Sequence, residues 1–429
     1  MLFPITAVRT IPAVRTILAV QTKMFEINNN VVLVKGAKNA AIYNFNNSTV
    51  YAIDGDVYST IYDVLIKNMP PDNDTEINDI KTLKKLKLID SSFQCRKYEN
   101  TNIPSLELNF AWLELTNACN LQCIHCYEGV EHHALDNDLT LLDWKSILKQ
   151  LRGVGCKKIQ FTGGEPCLFS GFEELLEYAS SLGFEEICVF TNASLLTDRL
   201  IDTFQRLKIS VRFSLYGHCA SIHDAITNQI GSFDKSISNV KKMVSQGTDL
   251  FPSVIIMKEN QEYIKEIKEF IESLNLKYEG FDVIRQTNCG GQSDHLPTIP
   301  EILYSKHKLF AHFNTSKERF DKAIHQNTCW YGKLAIDSLG NVFPCVFHRT
   351  LSYGNLLNQS IEDVLKSENL RLGWLTDFSK INVCKDCEFR FACKDCRALG
   401  ALSGDFFGKN PRCLYNPYLG KWESPLKFN

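Results

Sequence analysis

The chain has 429 residues, of which 44% are apolar and 22% charged, so it can bury a large core and is neither disordered nor fibrous. Lysine and arginine number 47 against 49 aspartates and glutamates, and this formal net charge of −2 predicts no nucleic-acid partner. No uninterrupted apolar stretch of 18 residues occurs, which argues against a transmembrane helix and predicts no membrane partner.

Residues 1–23 contain three related segments with a six-residue period, AVRTIP, AVRTIL and AVQTK. Arg9 and Arg15 interrupt every apolar stretch that a secretory signal would need, and the repeat lacks a helical period. We therefore expect an unstructured or mis-started extension, with the natural start at Met24.

Residues 24–104 predict a small α+β module. Three short apolar runs are separated by segments that contain Gly and Asn, which is typical of an antiparallel meander. These runs lie at 31–34, 40–43 and 50–53. Two segments with helical spacing follow, at 57–68 and 77–88.

Residues 105–310 show predicted strands and helices in alternation. The strands are 106–115, 158–162, 186–191, 209–215, 251–257 and 280–285. The helices are 141–151, 172–182, 198–207, 236–246 and 262–274. Such alternation requires parallel strands with crossover helices, and six strands fall short of the eight in a closed barrel. We predict an α/β fold with a partial (β/α)6 TIM-like barrel, although periodicity alone does not separate it from a doubly wound sheet.

Sixteen cysteines are the unusual feature of the composition. They are too few for a small disulfide scaffold and too clustered to be scattered core thiols, which predicts metal binding in a reducing, cytoplasmic compartment. The first predicted strand of the barrel runs into a loop with Cys119, Cys123 and Cys126. Since a [4Fe–4S] cluster normally takes four cysteines, a set of three leaves one iron free for a substrate or cofactor. A structural zinc site with a distant fourth ligand is the alternative.

The second strand of the barrel ends in a turn with Gly163, Gly164 and Glu165. The glycines would let the backbone approach a ligand closely, and Glu165 would accept a hydrogen bond from an ammonium group. Alone this turn is a weak signal, because an ordinary strand-to-helix turn has the same composition. Its position at the carboxyl end of the strand after the cysteine loop makes it a strong one.

Together these motifs resemble the radical S-adenosylmethionine superfamily over residues 106–290. The resemblance implies that the cysteine loop binds a [4Fe–4S] cluster and that residues 163–165 contact the amino group of S-adenosylmethionine (SAM). It assigns no catalytic residue beyond the cluster and SAM. Residues 191–193 are Thr-Asn-Ala, where the family more often has Thr-Asn-Gly. The further SAM contacts that the resemblance implies are His125, Tyr127, Asn192 and Ser214.

Seven more cysteines lie between residues 329 and 413. Zinc ribbons also use C-x2-C pairs, so spacing alone leaves zinc open. After the upstream motifs, the pattern resembles the SPASM domain, which we expect at 325–429 and which would bring the total to three [4Fe–4S] clusters. The resemblance implies a distal auxiliary cluster on Cys384, Cys387, Cys393 and Cys413, and a proximal one on Cys329, Cys345 and Cys396. Cys289 and His348 are candidates for the fourth ligand of the proximal cluster.

Residues 34–38 and 384–398 resemble maturases of ribosomally synthesised peptides that are encoded with an ATP-grasp partner. That resemblance implies that residues 24–104 bind a leader peptide as an added edge strand, with a structural cap on the barrel as the alternative. The implied activity is a crosslink, a cysteine thioether, installed in a precursor peptide through a 5′-deoxyadenosyl radical, with flavodoxin or ferredoxin as reductant. The alternatives are C–C or C–O crosslinking and maturation of a whole protein of the anaerobic sulfatase type. A non-catalytic electron carrier would not need residues 163–165.

Overall fold

The computed structural model describes residues 24–90, 92–100, 104–128, 138–286, 293–304 and 313–423. The predicted extension at 1–23 and the candidate ligand Cys289 lie outside these residues. Within the described chain, the strands form a five-stranded sheet, a nine-stranded sheet and a two-stranded hairpin. No helix in the described ranges is long and apolar enough to cross a membrane.

The five-stranded sheet lies near the amino terminus and has the strand order β4-β3-β2-β1-β5. Its antiparallel strands are β1 (Met24–Asn28), β2 (Val31–Lys35), β3 (Ala40–Asn44), β4 (Thr49–Ile53) and β5 (Arg96–Lys97). The predicted meander is confirmed in β2, β3 and β4. β1 was not predicted, because its apolar residues are interrupted by Glu26 and form no continuous run.

Two helices cover one face of this sheet. They are α1 (Gly55–Ile61), which continues as a π-helical turn at Tyr62–Ile66, and α2 (Asp74–Lys85). The Asp54 side chain caps α1 by accepting from two backbone N–H groups, and the Asn73 side chain caps α2 by accepting from one, that of Glu76. Ile80 and Leu83 of α2 pack against the apolar side chains of the sheet.

The nine-stranded sheet contains six parallel strands in sequential order. They are β6 (Phe110–Glu114), β7 (Lys158–Thr162), β8 (Glu186–Thr191), β9 (Ser210–Leu215), β10 (Leu250–Ile256) and β11 (Asp282–Val283). The predicted α/β fold class is confirmed. A doubly wound sheet reverses its strand order at a switch point, and this sheet does not, so the open partial barrel is the correct alternative.

Helices connect and follow these strands. Those within the barrel are α3 (Leu141–Gly153), α4 (Phe172–Ser181), α5 (Asp198–Arg206), α6 (Ala220–Thr227), α7 (Ser232–Ser245) and α8 (Ile264–Ser273), and those after it are α9 (Pro300–Leu303), α10 (Lys317–Ala323), α11 (Ile361–Lys366), α12 (Glu368–Trp374) and α13 (Arg397–Gly400). Of the barrel helices, α6 was not predicted, because it buries His223 and Thr227 and lacks a continuous apolar stripe.

The carboxy-terminal region completes the large sheet. β12 (Lys333–Ile336) pairs parallel to β6, and β13 (Asn341–Phe343) and β14 (Gly354–Asn355) continue antiparallel from it. β15 (Tyr415–Asn416) and β16 (Lys421–Trp422) form the hairpin. The sequence showed no sign of the β6–β12 pair, because its strands lie more than 200 residues apart.

The second face of the five-stranded sheet packs against the cysteine-rich region. Tyr43 of β3 belongs to one apolar cluster with Phe320, Phe391 and Tyr415. Its hydroxyl donates to the backbone carbonyl of Glu388 at 2.8 Å. Both faces of the amino-terminal sheet are therefore covered, one by its own helices and the other by residues from the far end of the chain.

Candidate functional site

The cysteine loop, residues 115–126, follows β6 directly and rests on α6. Its backbone N–H groups donate to the last carbonyls of that helix, Gln122 to Thr227 at 3.1 Å and Ile124 to Ile226 at 3.0 Å. Its three cysteines are half-buried. The cysteine loop is therefore supported by the end of β9 and by α6, the helix that follows it.

The electrostatics of these thiols fit a cationic metal centre. Burial raises the pKa of Cys119 to about 11, and burial followed by the two neighbouring thiols raises that of Cys123 further. Three thiolates in this place need positive charge to offset their desolvation and mutual repulsion, and iron supplies that charge. Within the described residues, no three His, Cys, Asp or Glu side chains are arranged to hold one metal ion. A [4Fe–4S] cluster distributes its cysteines over several irons and does not need such convergence.

The Gly-Gly-Glu turn lies directly on the cysteine loop. Gly164 N donates to the Thr116 carbonyl at 2.7 Å, and a Cβ on Gly164 would lie 2.2 Å from the Ala118 carbonyl oxygen. Gly163 has φ 126°, and its Cβ would lie 2.6 Å from the Thr116 carbonyl oxygen. Glycine is required at both positions because the two backbones touch. The structure shows close approach of this turn to the cysteine loop, and its predicted close approach to a ligand stays a prediction.

Glu165 is fully buried and its carboxylate joins the ends of two strands. It accepts from Thr191 Oγ1 at 2.6 Å, Asn192 N at 2.8 Å and Cys167 N at 3.3 Å. Burial raises the pKa of this carboxyl, and the three donors act in the opposite direction. The side chain thus fixes the end of β8 against the turn after β7, and its contact with an ammonium group stays a prediction.

Asn192 ties the end of β8 to the cysteine loop. Its Nδ2 donates to Asn120 Oδ1 at 2.9 Å, and its own Oδ1 accepts from Ser194 N at 2.9 Å. Ala193 is buried with φ 61°, in the left-handed region that favours glycine. The left-handed backbone at this position explains why the family more often has glycine there. This chain has alanine in the same backbone conformation.

Ser214 is buried at the end of β9, and Tyr216 follows it. The Tyr216 ring meets the His125 ring edge-on with 4.6 Å between centroids. Burial, with a smaller effect of two other histidines, lowers the pKa of His125 to about 4, and the structure gives its buried Nδ1 no hydrogen-bond partner among the described residues. A neutral planar ring with a spare nitrogen beside the cysteine loop fits a purine base.

Tyr127 lines a cavity inside the barrel, and its contact with SAM stays a prediction. Its hydroxyl donates to Glu114 Oε1 at 3.2 Å, and its ring lies 5.2 Å from that of Phe347. Glu114, fully buried at the end of β6, pairs with Arg349 at 2.6 Å, and Arg349 also pairs with Glu128 at 2.9 Å. Sequence reasoning missed this network. A carboxylate that ends a buried strand could have indicated Glu114, but no local signal connects it to Arg349.

The network borders a cavity of about 420 Å³ inside the barrel. Strand pairing sets Trp112 beside Gln160 and Phe190 beside Arg212 on its wall. Aromatic rings and two arginines, Arg212 and Arg285, dominate the lining. This lumen cavity is large enough for an amino-acid side chain.

The structure gathers the seven carboxy-terminal cysteines into the two sets that the resemblance implied. Each set is defined by electrostatic interaction among its own thiols. The sets are Cys384, Cys387, Cys393 and Cys413, and Cys329, Cys345 and Cys396. Six of these seven side chains line one cavity of about 760 Å³, and the seventh, Cys345, is buried beside it. The volume of this cavity and its cysteine thiols therefore fit iron–sulfur clusters.

Burial again makes isolated thiolates costly in this region. It raises the pKa of Cys329 to about 11 and that of Cys345 and Cys384 to about 12. Of the two candidate fourth ligands for the proximal set, His348 lies beside Cys345, but its Nε2 hydrogen-bonds to Thr350 Oγ1 at 3.1 Å. Its role as a ligand stays a prediction.

Comparison with known proteins agrees with this geometry. Residues 113–271 match the Radical SAM superfamily, and residues 329–388 match SPASM, an iron-sulfur cluster-binding domain. The chain is 26% identical over 354 residues to the AdoMet-dependent heme synthase of Methanosarcina barkeri, which covers 74% of this chain and 98% of that protein. It is 24% identical over 318 residues to the antilisterial bacteriocin subtilosin biosynthesis protein AlbA of Bacillus subtilis, which covers 70% and 69%.

Among solved structures, Streptococcus suis SuiB bound to S-adenosylmethionine aligns with a TM-score of 0.59 and 18% identity, over 91% of this chain and all of SuiB. At this identity the likeness shows the fold. The matched segments contain the cysteine loop, the Gly-Gly-Glu turn and the first cysteines of the carboxy-terminal region, in the order of strands that the structure shows. The chain therefore carries a radical SAM domain at residues 113–271, the domain of radical SAM enzymes, and an iron–sulfur cluster-binding SPASM domain at residues 329–388.

Proposed function

We propose that this enzyme installs a cysteine thioether in a ribosomally synthesised precursor peptide. The observation that carries the proposal is the proximal set, in which only Cys329, Cys345 and Cys396 lie together among the described residues, so that a cluster held there would have one iron open to a substrate thiolate. Relatives named AlbA, SkfB and PqqA peptide cyclase support a peptide substrate, as does the structure of SuiB bound to precursor peptide SuiA.

The cofactors in this proposal are SAM and three [4Fe–4S] clusters, one on the cysteine loop and two in the cysteine-rich region. When bound and reduced, the first cluster and SAM supply a 5′-deoxyadenosyl radical, which removes hydrogen from an unactivated carbon. Flavodoxin or ferredoxin is the proposed reductant, and an ATP-grasp enzyme is a further proposed partner.

The protein's own residues place the reactants. The Gly-Gly-Glu turn, Asn192 and Ser214 surround the cysteine loop and would orient SAM, with His125 beside the adenine. The lumen cavity would receive the acceptor side chain of the peptide. The Glu114–Arg349 ion pair would hold the end of β6 to the carboxy-terminal region and so fix Tyr127, whose hydroxyl donates to Glu114, in the wall of that cavity.

The proposed domains are the amino-terminal module 24–104, the radical SAM core 105–310 and the SPASM domain 325–429. We propose that the amino-terminal module binds the leader peptide at an edge of its sheet. Helices cover one face of that sheet and the cysteine-rich region covers the other, so strand addition is the mode that its structure favours.

The test is anaerobic reconstitution with a candidate precursor peptide that contains cysteine, followed by mass spectrometry. We expect 5′-deoxyadenosine and a peptide that has lost two hydrogens. A cysteine consumed in a thioether no longer reacts with iodoacetamide, so alkylation identifies the bond. A product that has lost two hydrogens while all its cysteines still alkylate would replace the thioether by a C–C or C–O crosslink.

Heme synthesis is the second candidate function, because three of the relatives are AdoMet-dependent heme synthases at 24–26% identity. The same reconstituted enzyme is incubated with an iron porphyrin precursor in place of the peptide. Formation of heme together with 5′-deoxyadenosine, and no change in peptide mass, would favour this function over peptide maturation.

A further inference from the structure

Arg285 lies in a wall that two cavities share. Asp282 and Arg285, at and just after β11, line both the lumen cavity of about 420 Å³ and the cysteine cavity of about 760 Å³. Any group that acts on both the peptide site and the auxiliary clusters would have to stand in this wall. The Arg285 side chain is about four-fifths buried, so its charge acts in a medium that screens it weakly.

Each part of the guanidinium has a defined contact. It pairs with Asp282 at 2.6 Å, and its centre lies 4.5 Å above the ring of Phe347. It also lines the cysteine cavity together with Cys396, a member of the proximal set, and interacts electrostatically with that thiol. Phe347 in turn contacts Tyr127, which follows the cysteine loop. A continuous series of contacts therefore runs from the radical site to the proximal cysteines through Arg285.

Other buried arginines of the region bind backbone carbonyls instead. Arg390 donates to the carbonyls of Lys35 and Cys387, and Arg412 donates to the carbonyl of Val283. These contacts explain why positive charge is tolerated there, because they replace the water that the guanidinium loses. Arg285 differs from them, because its charge is paired with Asp282 and interacts electrostatically with the Cys396 thiol.

We propose that Arg285 is a positioning residue that holds the Cys396 sulfur and sets the reduction potential of the proximal auxiliary cluster on the side that faces the peptide. Hydrogen bonds to cluster sulfurs and nearby positive charge stabilise the reduced, more negative cluster and raise its potential. The proposal rests on the auxiliary cluster of the proposed function, but not on the identity of the peptide or of the bond.

The experiment is an anaerobic redox titration of the reconstituted holoenzyme without peptide, followed by electron paramagnetic resonance of the proximal cluster. In Arg285→Gln, which removes the charge, we expect the equilibrium constant for reduction to fall about tenfold, equivalent to 59 mV for one electron. In Arg285→Lys, which keeps the charge, we expect a fall of less than about threefold, because the ammonium retains the electrostatic contribution.

Asp282→Asn is the matched control, because it breaks the same ion pair but leaves the guanidinium in place. If Arg285 acts electrostatically, this variant shifts the potential in the opposite direction, since a negative charge near the cluster is removed. A shift of the same sign and size as in Arg285→Gln would show that the ion pair matters only for structure and would overturn the proposal. An unchanged potential in Arg285→Gln, or loss of the proximal cluster's iron in both Arg285 variants, would overturn it too.

Discussion

The cysteine loop carries its three cysteines within eight residues, whereas the cysteine-rich region distributes seven between residues 329 and 413. The loop is held by short-range contacts with the ends of neighbouring strands, through the Gly-Gly-Glu turn and Asn192. The cysteine-rich region is held by the amino-terminal sheet, where Ala37 N donates to the Asp386 carbonyl at 2.7 Å. Both sites contain groups of buried thiols. A local motif places those of the cysteine loop, whereas packing between residues far apart in the sequence places those of the cysteine-rich region.

The difference matters for how each site depends on the rest of the chain. Strand ends of a parallel sheet form a stable frame, so the loop needs only the correct turn residues. The cavity of the cysteine-rich region has walls that come from several parts of the sequence, including Arg390, which bridges Lys35 and Cys387. We expect disturbances of the amino-terminal sheet to affect the second site and to spare the first.

The largest effect is expected when the local motif itself is removed. Replacing Cys119, Cys123 and Cys126 together with Ala removes the thiolates of the first cluster, so about four of about twelve iron atoms are lost. All cleavage of SAM should be lost as well, measured as 5′-deoxyadenosine, while the iron of the cysteine-rich region remains. Cys188→Ala is the control, because Cys188 is buried within β8 as a small apolar residue. Cleavage of SAM by the triple variant would contradict the assignment of the cysteine loop.

The next largest effect is expected when the packing of the amino-terminal sheet against the cysteine-rich region is disturbed. A Cβ on Gly36 would lie 2.5 Å from Glu388 Oε2 and 3.0 Å from Glu388 N, so Gly36→Ala forces the amino-terminal sheet away from Cys387 and its neighbours. We expect the free energy of unfolding to fall by about 1–3 kcal/mol. Iron should be lost from the cysteine-rich region alone, as measured by iron content together with SAM cleavage.

The control for this substitution is Gly153→Ala, at the end of α3, where no heavy atom lies within 4 Å of the added Cβ. Alanine there should be neutral or stabilise by up to about 1 kcal/mol. If Gly36→Ala kept all its iron, the cysteine-rich region would not depend on the amino-terminal sheet, and the contrast between the two sites would fail.

The same contrast separates what could be predicted from the sequence from what could not. The bounds of β7 and β8 agree with prediction, because each strand is a short apolar run with helices on both sides. The β6–β12 pair, the Glu114–Arg349 ion pair and the Tyr43–Glu388 hydrogen bond join residues more than 200 positions apart, and no periodicity carries that information. The motifs placed Glu165 at the carboxyl end of β7, but they did not indicate that its carboxylate accepts from Thr191, Asn192 and Cys167 of the protein itself.

A pH dependence tests the helix that supports the cysteine loop. His223 of α6 is buried, and its Nδ1 accepts from Tyr216 N at 3.3 Å. Burial lowers its pKa to about 4, below the value of about 6.5 in an unfolded chain. The contribution of neutral His223 to the free energy of unfolding is complete above pH 6.5. It is lost as the pH falls towards 4, because in this range only the unfolded state takes up the proton.

We expect His223 to make the protein about 1 kcal/mol less stable at pH 5.5 than at pH 7. The measurement is anaerobic urea unfolding at both pH values for the parent protein and for His223→Gln, which cannot titrate in this range. The variant should be less stable at pH 7 but should depend less on pH. Parallel pH profiles would show that His223 takes up its proton equally in the folded and unfolded states, so that folding does not lower its pKa.

The smallest effect concerns a residue where this chain departs from its family. Ala193 has φ 61° at the end of β8, a conformation that costs an L-residue roughly 1 kcal/mol and costs glycine little. Its carbonyl accepts from Asn239 Nδ2 at 2.8 Å, so the backbone is held in place whichever residue is present. Ala193→Gly should therefore relieve strain without moving Asn192, offset in part by the greater freedom of glycine in the unfolded chain. We expect a gain of at most about 0.5 kcal/mol in the free energy of unfolding and unchanged SAM cleavage. A clear loss of stability would mean that the buried methyl group contributes more to packing than the left-handed backbone costs.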